Sequence, residues 1–243
     1  MRTESLVIVT PIWRPRLDEV ETAFARVTDQ SNAQWARVFI APRRLNVEWY
    51  RSEFPDREIR VVDDRHLADV ESYSTWMTSP EPYEMFSDST VMTICQTDAV
   101  LVRRLHPRDL ADIDYLGPPW NPPVKALRFG RRFALHSPTG GGSTVARFFG
   151  RRLAVGNGGL SMRRTESFTR VSALLQGIVP EHFARRIHED VYFAALGPAS
   201  GLRISDAKRA GVLFCESEAR SLTGIGTYAG FHALEMWNPK LAR

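Results

Sequence analysis

The stretch TVMTICQTDAVLV, residues 90–102, decides the fold class of this 243-residue chain. Residues 90–95 form an apolar run of the kind found in strands that are buried on both faces of a sheet. Gln96, Thr97 and Asp98 follow at once, so the Asp98 carboxylate is expected at the end of that strand. A turn aspartate that caps the next element would give the same local pattern. The stretch therefore predicts an α/β sheet and makes Asp98 a candidate ligand-binding residue.

Three more segments, at residues 5–10, 35–41 and 58–63, indicate further strands, and the first of them, SLVIVT, is a continuous apolar run. Apolar residues at helical spacing follow the first run, and a similar pattern lies between residues 66 and 79. Strands that alternate with helices predict a mostly parallel open sheet flanked by helices. Because ligands bind outside the carboxyl ends of such strands, the polar residues that follow each run are the first candidates for a binding site.

The alternating pattern breaks between residues 117 and 152, where GPPWNPP, a basic segment and SPTGGGST follow one another. Loops of this length inside compact domains are functional lids or disordered insertions, and both interpretations stay open. In the first interpretation Gly140 to Gly142 would serve as a hinge. Beyond the loop, the pattern predicts helices at 165–176 and 180–196 and strands near 202–204 and within GVLFCES at 211–217.

The composition is that of an ordinary globular domain, with 43% hydrophobic and 25% charged residues. No stretch approaches the ~18 consecutive apolar residues of a membrane span, and the N-terminal apolar run is too short for an export signal. Cys95 and Cys215 lie in apolar runs, so we expect buried free thiols. We therefore expect a single soluble domain over residues 1–243, in the cytoplasm or at the inner face of the membrane.

The net charge of +4 comes mostly from arginine. Arg-Arg pairs stand at 43–44, 103–104, 131–132, 151–152, 163–164 and 185–186. Such scattered pairs do not form the basic stripe of a nucleic-acid-binding surface, so no nucleic-acid partner is expected. A solvated basic surface is the plainer interpretation of the pairs. The alternative is that some attract an anionic donor, a phosphorylated acceptor or the anionic face of a membrane as a peripheral contact.

Three further motifs carry candidate chemistry. HEDVYFAAL at 188–196 places Glu189 and Asp190 ahead of an apolar set, which fits either charged capping of a helix or a general base. GNGGLS at 156–161 has three glycines within four residues, which fits a tight turn or a surface where a ligand approaches the backbone. His232, in GFHALEMW, is either a packed side chain or a metal ligand.

Taken in order, the segments ICQTDAVLV, GPPW, VGNGGLSMR, HEDVYF and GFHALEMW resemble a bacterial and viral family of glycosyltransferases. The likeness spans nearly the whole chain. The NGGLS and ED elements are also similar to those of animal Golgi galactosyltransferases. The resemblance implies a GT-A fold, with a nucleotide-binding half at about residues 1–103 and an acceptor and catalytic half at about 153–243.

The resemblance also implies a metal site. GT-A enzymes commonly carry D-x-D after a strand, and Gln96-Thr97-Asp98 keeps only the last acid. Asp98 would then bind Mn²⁺ or Mg²⁺, a hard ion that prefers oxygen ligands and donor phosphates, and His232 would complete the metal shell. The missing first acid leaves open whether a metal is required.

Asp190 matches the catalytic base of inverting members, and Glu189 would orient or bind the acceptor. The implied donor-binding residues are Thr10, Pro11, Ile12, Asp64, Gln96 and Asp98. The implied sugar-binding or acceptor-binding residues are Trp120, Asn157, Gly158 and Gly159. The expected activity moves a sugar from a nucleotide-diphosphate donor to a glycan or lipid-linked acceptor, in the synthesis of a cell-surface polysaccharide or glycoconjugate.

Two other classes compete with this interpretation. A metal-dependent nucleotidyltransferase also uses an open α/β sheet, but it normally has a glycine-rich loop soon after the first strand, and TPIWRPRLDEV at 10–20 has no glycine. A catalytically inactive sugar-binding or nucleotide-binding module would keep the fold and tolerate the incomplete acid motif. Slow hydrolysis of a nucleotide sugar would favour the enzyme, whereas binding without turnover would favour the module.

Overall fold

The structure is a computed structural model that describes residues 4–129, 132–136, 150–179, 187–216 and 228–233. Its strands are β1 (Leu6–Pro11), β2 (Ala36–Pro42), β3 (Glu58–Val62), β4 (Val91–Cys95), β5 (Val100–Leu101), β6 (Tyr115–Leu116), β7 (Pro119–Phe129), β8 (Arg132–His136), β9 (Gly150–Val155), β10 (Leu160–Arg164), β11 (Phe214–Glu216) and β12 (Gly230–His232). Its α-helices are α1 (Glu19–Ser31), α2 (Glu48–Glu53), α3 (Val70–Met77), α4 (Glu81–Glu84), α5 (Thr165–Gln176), α6 (Glu189–Leu196) and α7 (Ala207–Leu213). Short 3₁₀ turns lie at Asp64–Leu67, Pro107–Asp109 and Gly197–Ser200.

The central sheet has six strands in the order β3-β2-β1-β4-β10-β6. The first four strands are parallel, whereas β10 runs antiparallel to both β4 and β6. The predicted α/β architecture with a mostly parallel sheet is therefore confirmed. All side chains of β1 and β4 are buried, which explains why both strands read as continuous apolar runs.

Helices cover both faces of this sheet. On one face α1 and α2 pack through the cluster around Phe39 and Tyr50, and on the other α3 to α6 pack through the cluster around Trp76 and Phe168. Helix α1 begins at a reciprocal capping box, in which the Glu21 amide donates to Asp18 Oδ1 at 2.9 Å and the Asp18 amide donates to Glu21 Oε2 at 3.0 Å. Both faces of the central strands β1 and β4 are thus buried, as expected for parallel strands.

Part of the segment predicted to be a loop forms strands. β7 pairs antiparallel with β8 and β9, so residues 119–129, 132–136 and 150–155 form a three-stranded sheet. The many prolines and glycines of this segment hide the strand pattern, and Pro119 and Val124 flank a shift in register. The predicted glycine hinge at 140–142 lies outside the described residues. The division of the chain into halves stays a prediction.

Three other sequence predictions need correction. The helix predicted at 180–196 begins, in the part that the structure describes, only at Glu189, because His188 has extended backbone angles; residues 180–186 are not described. Ile204 forms one isolated bridge with Tyr115 instead of a strand. Residues 207–213 are helical, since the Asp206 side chain caps that helix by accepting from the Arg209 amide at 2.7 Å, and residues 214–216 form a strand.

Cys95 and Cys215 carry thiols and are not joined in a disulfide, as predicted. Cys95 is buried, and Cys215 is half-buried.

Candidate active site

The GNGGLS turn lies beside the carboxyl end of β4. The Gln96 amide donates to the Gly159 carbonyl at 2.8 Å, which joins the strand end to the turn. A Cβ atom on Gly158 would overlap the Glu189 carboxylate, with Cδ at 2.9 Å, and one on Gly159 would overlap His232, with Gln96 Oε1 at 2.8 Å. A side chain at either position would therefore have to displace these groups. The turn thus places the main chain of Gly158 and Gly159 directly against the side chains of Glu189, His232 and Gln96.

Asp190 stands at the start of α6, next to this turn. Its Oδ2 accepts from the Gly158 amide at 3.2 Å, and its Oδ1 accepts from the Val191 amide at 2.6 Å. Burial first, and then the neighbouring Glu189 carboxylate, raise the pKa of Asp190 to about 8. The two amide hydrogen bonds and the Arg163 charge act in the opposite direction without cancelling the rise. Asp190 can therefore exchange a proton near neutral pH.

Glu189 is held by a buried arginine. Its side chain is 6% exposed, and its Oε1 accepts from Arg163 Nη2 at 3.0 Å. The other guanidinium nitrogens of Arg163 donate to Tyr83 Oη at 2.9 Å and to Ser161 Oγ at 3.0 Å. Because every guanidinium nitrogen has a partner, Arg163 fixes the Glu189 carboxylate beside Gly158.

The solvated interpretation of the Arg163-Arg164 pair is wrong for Arg163, whose side chain is 0% exposed. Sequence reasoning missed this residue as part of the site. The signal that could have found it is the two-residue period of β10, which places Arg163 on the same side as Ser161 in a strand flanked by two others. A charge at such a position has to be paired.

Asp98 and His232 come together from distant parts of the chain. Strand β12 pairs antiparallel with β5, with Phe231 opposite Val100. His232 therefore lies near the end of β4. His232 Nε2 lies 3.6 Å from Asp98 Oδ2. Burial lowers the pKa of His232, although the Asp98 and Glu189 carboxylates act to raise it. Its Nδ1 is buried without a hydrogen-bond partner among the described residues.

Of the other predicted donor-binding residues, Thr10 lines a small cavity together with Gln96 and Thr97, whereas no described contact brings Pro11, Ile12 or Asp64 against this cluster. Ile12 is fully buried in the core beneath α1, and Thr10 Oγ1 accepts from Arg57 Nη1 at 3.0 Å. Pro11, the last residue of β1, is also buried. Asp64 follows β3, where its Oδ1 accepts from the Arg44 amide at 2.8 Å. Nucleotide contacts at these four positions stay predictions.

The predicted sugar-binding residues surround the turn. Asn157 is buried, and its Oδ1 accepts from the Gly159 amide at 3.0 Å, so it braces the turn from inside. Trp120 is half-buried and packs near Ala194 of α6. Its ring also approaches Gly156, which has a φ of +148° and no space for a Cβ atom. Trp120 thus lies on the same side of the turn as the helix that carries Asp190.

Among the described residues, no group of three or more histidine, cysteine, aspartate or glutamate side chains could hold a metal ion. Asp98 and His232 form a pair instead. The site as described therefore has a carboxyl with a raised pKa on one side of the glycine turn and a carboxylate–imidazole pair on the other.

The strand order and the acids at the carboxyl edge define an α/β protein of the GT-A type. The chain belongs to the family described as "Protein of unknown function (DUF5672)", whose model matches residues 56–227. The matched range includes Asp98, Gly158 and Asp190 and ends before His232. No curated protein matches the chain significantly in sequence.

Among solved structures, the chain is similar to the WbbM bifunctional glycosyltransferase, at 8% identity and a TM-score of 0.50. That match covers 94% of this chain and 45% of the WbbM chain, so this chain spans less than half the length of that relative. A second match, to 4-diphosphocytidyl-2C-methyl-D-erythritol synthase, has 12% identity and a TM-score of 0.36 over 76% of this chain and 85% of the other. The likeness to WbbM supports the GT-A fold. In the part of the chain that the structure describes, no helix is long and apolar enough to cross a membrane.

Proposed function

We propose that this protein is an inverting glycosyltransferase that moves a sugar from a nucleotide-diphosphate donor to an acceptor hydroxyl. The observation that carries the proposal is the convergence of Asp98, Asp190 and His232 on the bare backbone of Gly158 and Gly159. These residues come from four separate segments of the chain. A purely structural glycine turn would not need carboxylates and an imidazole packed against it.

Asp190 serves as the general base in this proposal. It takes the proton of the acceptor hydroxyl while the hydroxyl oxygen forms a bond to the anomeric carbon, and the bond from that carbon to the donor phosphate oxygen breaks. A base works best when its pKa lies near the working pH, and the raised pKa of Asp190, about 8, meets this condition. Glu189, which accepts a hydrogen bond from Arg163, acts to raise the pKa of Asp190 and lies where an acceptor could be oriented.

Asp98 and His232 would hold a divalent ion such as Mn²⁺ or Mg²⁺. Asp98 Oδ2 and His232 Nε2 lie 3.6 Å apart, and the lowered pKa of His232 favours the neutral imidazole that a metal ligand must be. The pair fits as part of a shell that donor phosphates complete. The ion would supply positive charge at the departing nucleotide diphosphate.

The experiment is a screen of nucleotide-diphosphate sugars for donor turnover, with Mn²⁺, with Mg²⁺ and with a chelator. Wild type is expected to hydrolyse one donor slowly without an acceptor, and Asp190→Asn to lose ~10²–10⁴-fold in rate while it still binds the nucleotide diphosphate. Asp56→Asn, at an exposed position, is the matched control and should keep the wild-type rate.

Turnover by Asp190→Asn at the wild-type rate would defeat the base assignment. Turnover that neither chelation nor Asp98→Ala changes would defeat the metal assignment. Binding of donors by wild type without any turnover would indicate that the protein is an inactive binding module and not an enzyme.

A further inference from the structure

A second cavity lies at the same edge of the sheet and is not explained by the site above. It has a volume of about 740 Å³ and lies between the 3₁₀ turn after β3, helices α3 and α4, the end of α5 and helix α6. Pockets that bind small molecules typically span ~300–1,000 Å³. Its described lining does not include Asp98, Gly158, Asp190 or His232. The cavity is therefore a separate candidate for a ligand.

The lining is rich in hydrogen-bonding groups. Ser72, Thr75 and Ser79 contribute hydroxyls, and Gln176 contributes an amide. Two buried polar atoms of lining residues, Thr75 Oγ1 and Trp76 Nε1, have no hydrogen-bond partner among the described residues. A buried donor or acceptor without a partner costs free energy, so these two atoms favour a polar occupant nearby.

The charge of the lining selects against an anionic occupant. Asp69, Glu71 and Glu81 line the cavity, whereas Arg65 is the only arginine in its described lining. The Nε2 atom of His66 lies 3.4 Å from Glu81 Oε1. The Glu81 carboxylate would therefore offset the positive charge of a protonated His66. A diphosphate or a phosphorylated sugar would meet an excess of negative charge. A neutral ligand with many hydroxyls would instead donate to the carboxylate oxygens, which are acceptors only.

Aromatic rings complete the lining. His66 and Trp76 stack with ring centroids 5.0 Å apart and an interplanar angle of 25°, and Tyr192 of α6 also lines the cavity. Rings of this kind combine apolar area with a polar edge, which suits the mixed surface of a sugar. Hydroxyls, carboxylates and aromatic rings around one cavity are together the chemistry that recognises an uncharged carbohydrate.

The position of the cavity relates it to Asp190. Residues 64–67 follow β3 directly, so this wall of the cavity stands at the carboxyl edge of the sheet, as Asp98 does. Tyr192 lies on α6, two residues after Asp190. Helix α3, which lines the cavity, packs against α6 and also carries Tyr73, a buried phenol whose pKa is raised by burial first and by the Glu189 carboxylate second. The cavity therefore adjoins the carboxylate pair across one helix.

We propose that this cavity binds an uncharged carbohydrate, which is the acceptor of the transfer; the acceptor role, though not the binding itself, rests on the proposed function. The acceptor hydroxyl would be deprotonated by Asp190, which stands on α6 two residues before the cavity-lining Tyr192. The donor, with its diphosphate, is excluded from the cavity by the acidic lining and remains at the glycine turn.

The test is binding of the full chain to an array of neutral and anionic oligosaccharides, followed by titration calorimetry with the neutral oligosaccharide that binds best. Gln176→Trp fills the cavity from the end of α5, and Thr75→Val removes an unpartnered hydroxyl without changing its shape. Leu174→Trp is the matched control, since Leu174 is 46% exposed on the same helix and does not line the cavity. Neutral oligosaccharides should bind wild type and Leu174→Trp equally, and Gln176→Trp about tenfold or more weakly. Thr75→Val should weaken binding about three- to tenfold, as expected for one lost hydrogen bond.

Three results would overturn the proposal: no neutral oligosaccharide binds wild type, anionic oligosaccharides bind more tightly, or Gln176→Trp binds as well as Leu174→Trp. If Gln176→Trp does not fold by circular dichroism, an unchanged affinity of Thr75→Val overturns it instead. Donor hydrolysis without acceptor separates this proposal from the proposed function. An absence of glycan binding with intact donor turnover would refute only the proposal for the cavity. Glycan binding without donor turnover would refute only the proposed enzymatic function.

Discussion

Replacing Asp190 by asparagine should change how the stability of the protein depends on pH. The pKa of Asp190 rises from its ordinary value of 3.8 to about 8 in the folded protein, because burial and the Glu189 carboxylate disfavour the ionised form. For a carboxyl whose folded pKa is raised, the stabilisation relative to the unfolded chain is fully present below about pH 4. This stabilisation is lost as the pH rises from about 4 to about 8. Above about pH 8 the contribution of this carboxyl to the free energy of unfolding no longer changes with pH. Asparagine, which does not ionise, removes this dependence.

The size of the effect follows from the shift. One pKa unit corresponds to ~1.4 kcal/mol, so ionising Asp190 in the folded protein costs on the order of several kcal/mol of the free energy of unfolding. The difference in the free energy of unfolding between Asp190→Asn and wild type should therefore grow in favour of the variant between about pH 5 and about pH 8. Urea unfolding followed by tryptophan fluorescence at half-unit intervals of pH measures this difference directly.

Asp114 supplies a control with the opposite sign. Burial acts to raise the pKa of Asp114, but hydrogen bonds from Arg203 and Ser167 outweigh it and hold the pKa below 3.8. The contribution of Asp114 is then fully present above about pH 4 and is lost only at lower pH, so the deficit of Asp114→Asn should stay constant from about pH 5 to about pH 9. A constant difference for Asp190→Asn as well would refute the argument that Asp190 is protonated near neutral pH.

The remaining predictions concern the glycine turn, the buried arginine and the reaction itself. Gly159→Ala should displace His232 and abolish stabilisation by a nucleotide diphosphate with Mn²⁺ in a thermal-shift assay, whereas Gly177→Ala, whose nearest atom to a new Cβ is 3.6 Å away, should behave as wild type. Arg163→Met should lower the free energy of unfolding in urea by ~3–5 kcal/mol, because it leaves the buried Glu189 carboxylate unpaired; a loss below ~1 kcal/mol would contradict this. The rate of donor hydrolysis should rise with pH and level off above about pH 8, since Asp190 acts as a base only when it is ionised, and a pH-independent rate would count against it.

The sequence predicts the first half of the fold well because its signals are local. Strands β1 to β4 are rich in β-branched and other apolar residues and are separated by helices of ordinary spacing, and the sequence predicts each to within about one residue. Helix α5 was predicted with its observed bounds, 165–176. The segments around β7 to β9 and α7 were missed, because strands rich in proline and glycine and a helix of seven residues give weak periodic signals.

For the candidate site, the sequence indicates which residues carry chemistry but not which of them meet. Asp98, Asp190 and His232 each had an unremarkable local explanation, and only their order along the chain, by resemblance, singled them out. Arg163 was placed on the surface because a pair of arginines carries no sign of burial. Its partners Tyr83 and Glu189 are 80 and 26 residues away along the chain, and only the folded structure brings them together.

One antiparallel strand explains why the site forms where it does. In a sheet whose strands were all parallel, the residues before β10 would stand at the amino edge, far from the end of β4. Because β10 runs antiparallel to β4, with Leu160 opposite Cys95, the turn that precedes it stands beside Gln96 at the carboxyl edge. The same reversal directs Arg163 back into the sheet, where it reaches Glu189 behind the turn. A single change of strand direction thus places both the bare backbone and the residue that orients the acidic pair.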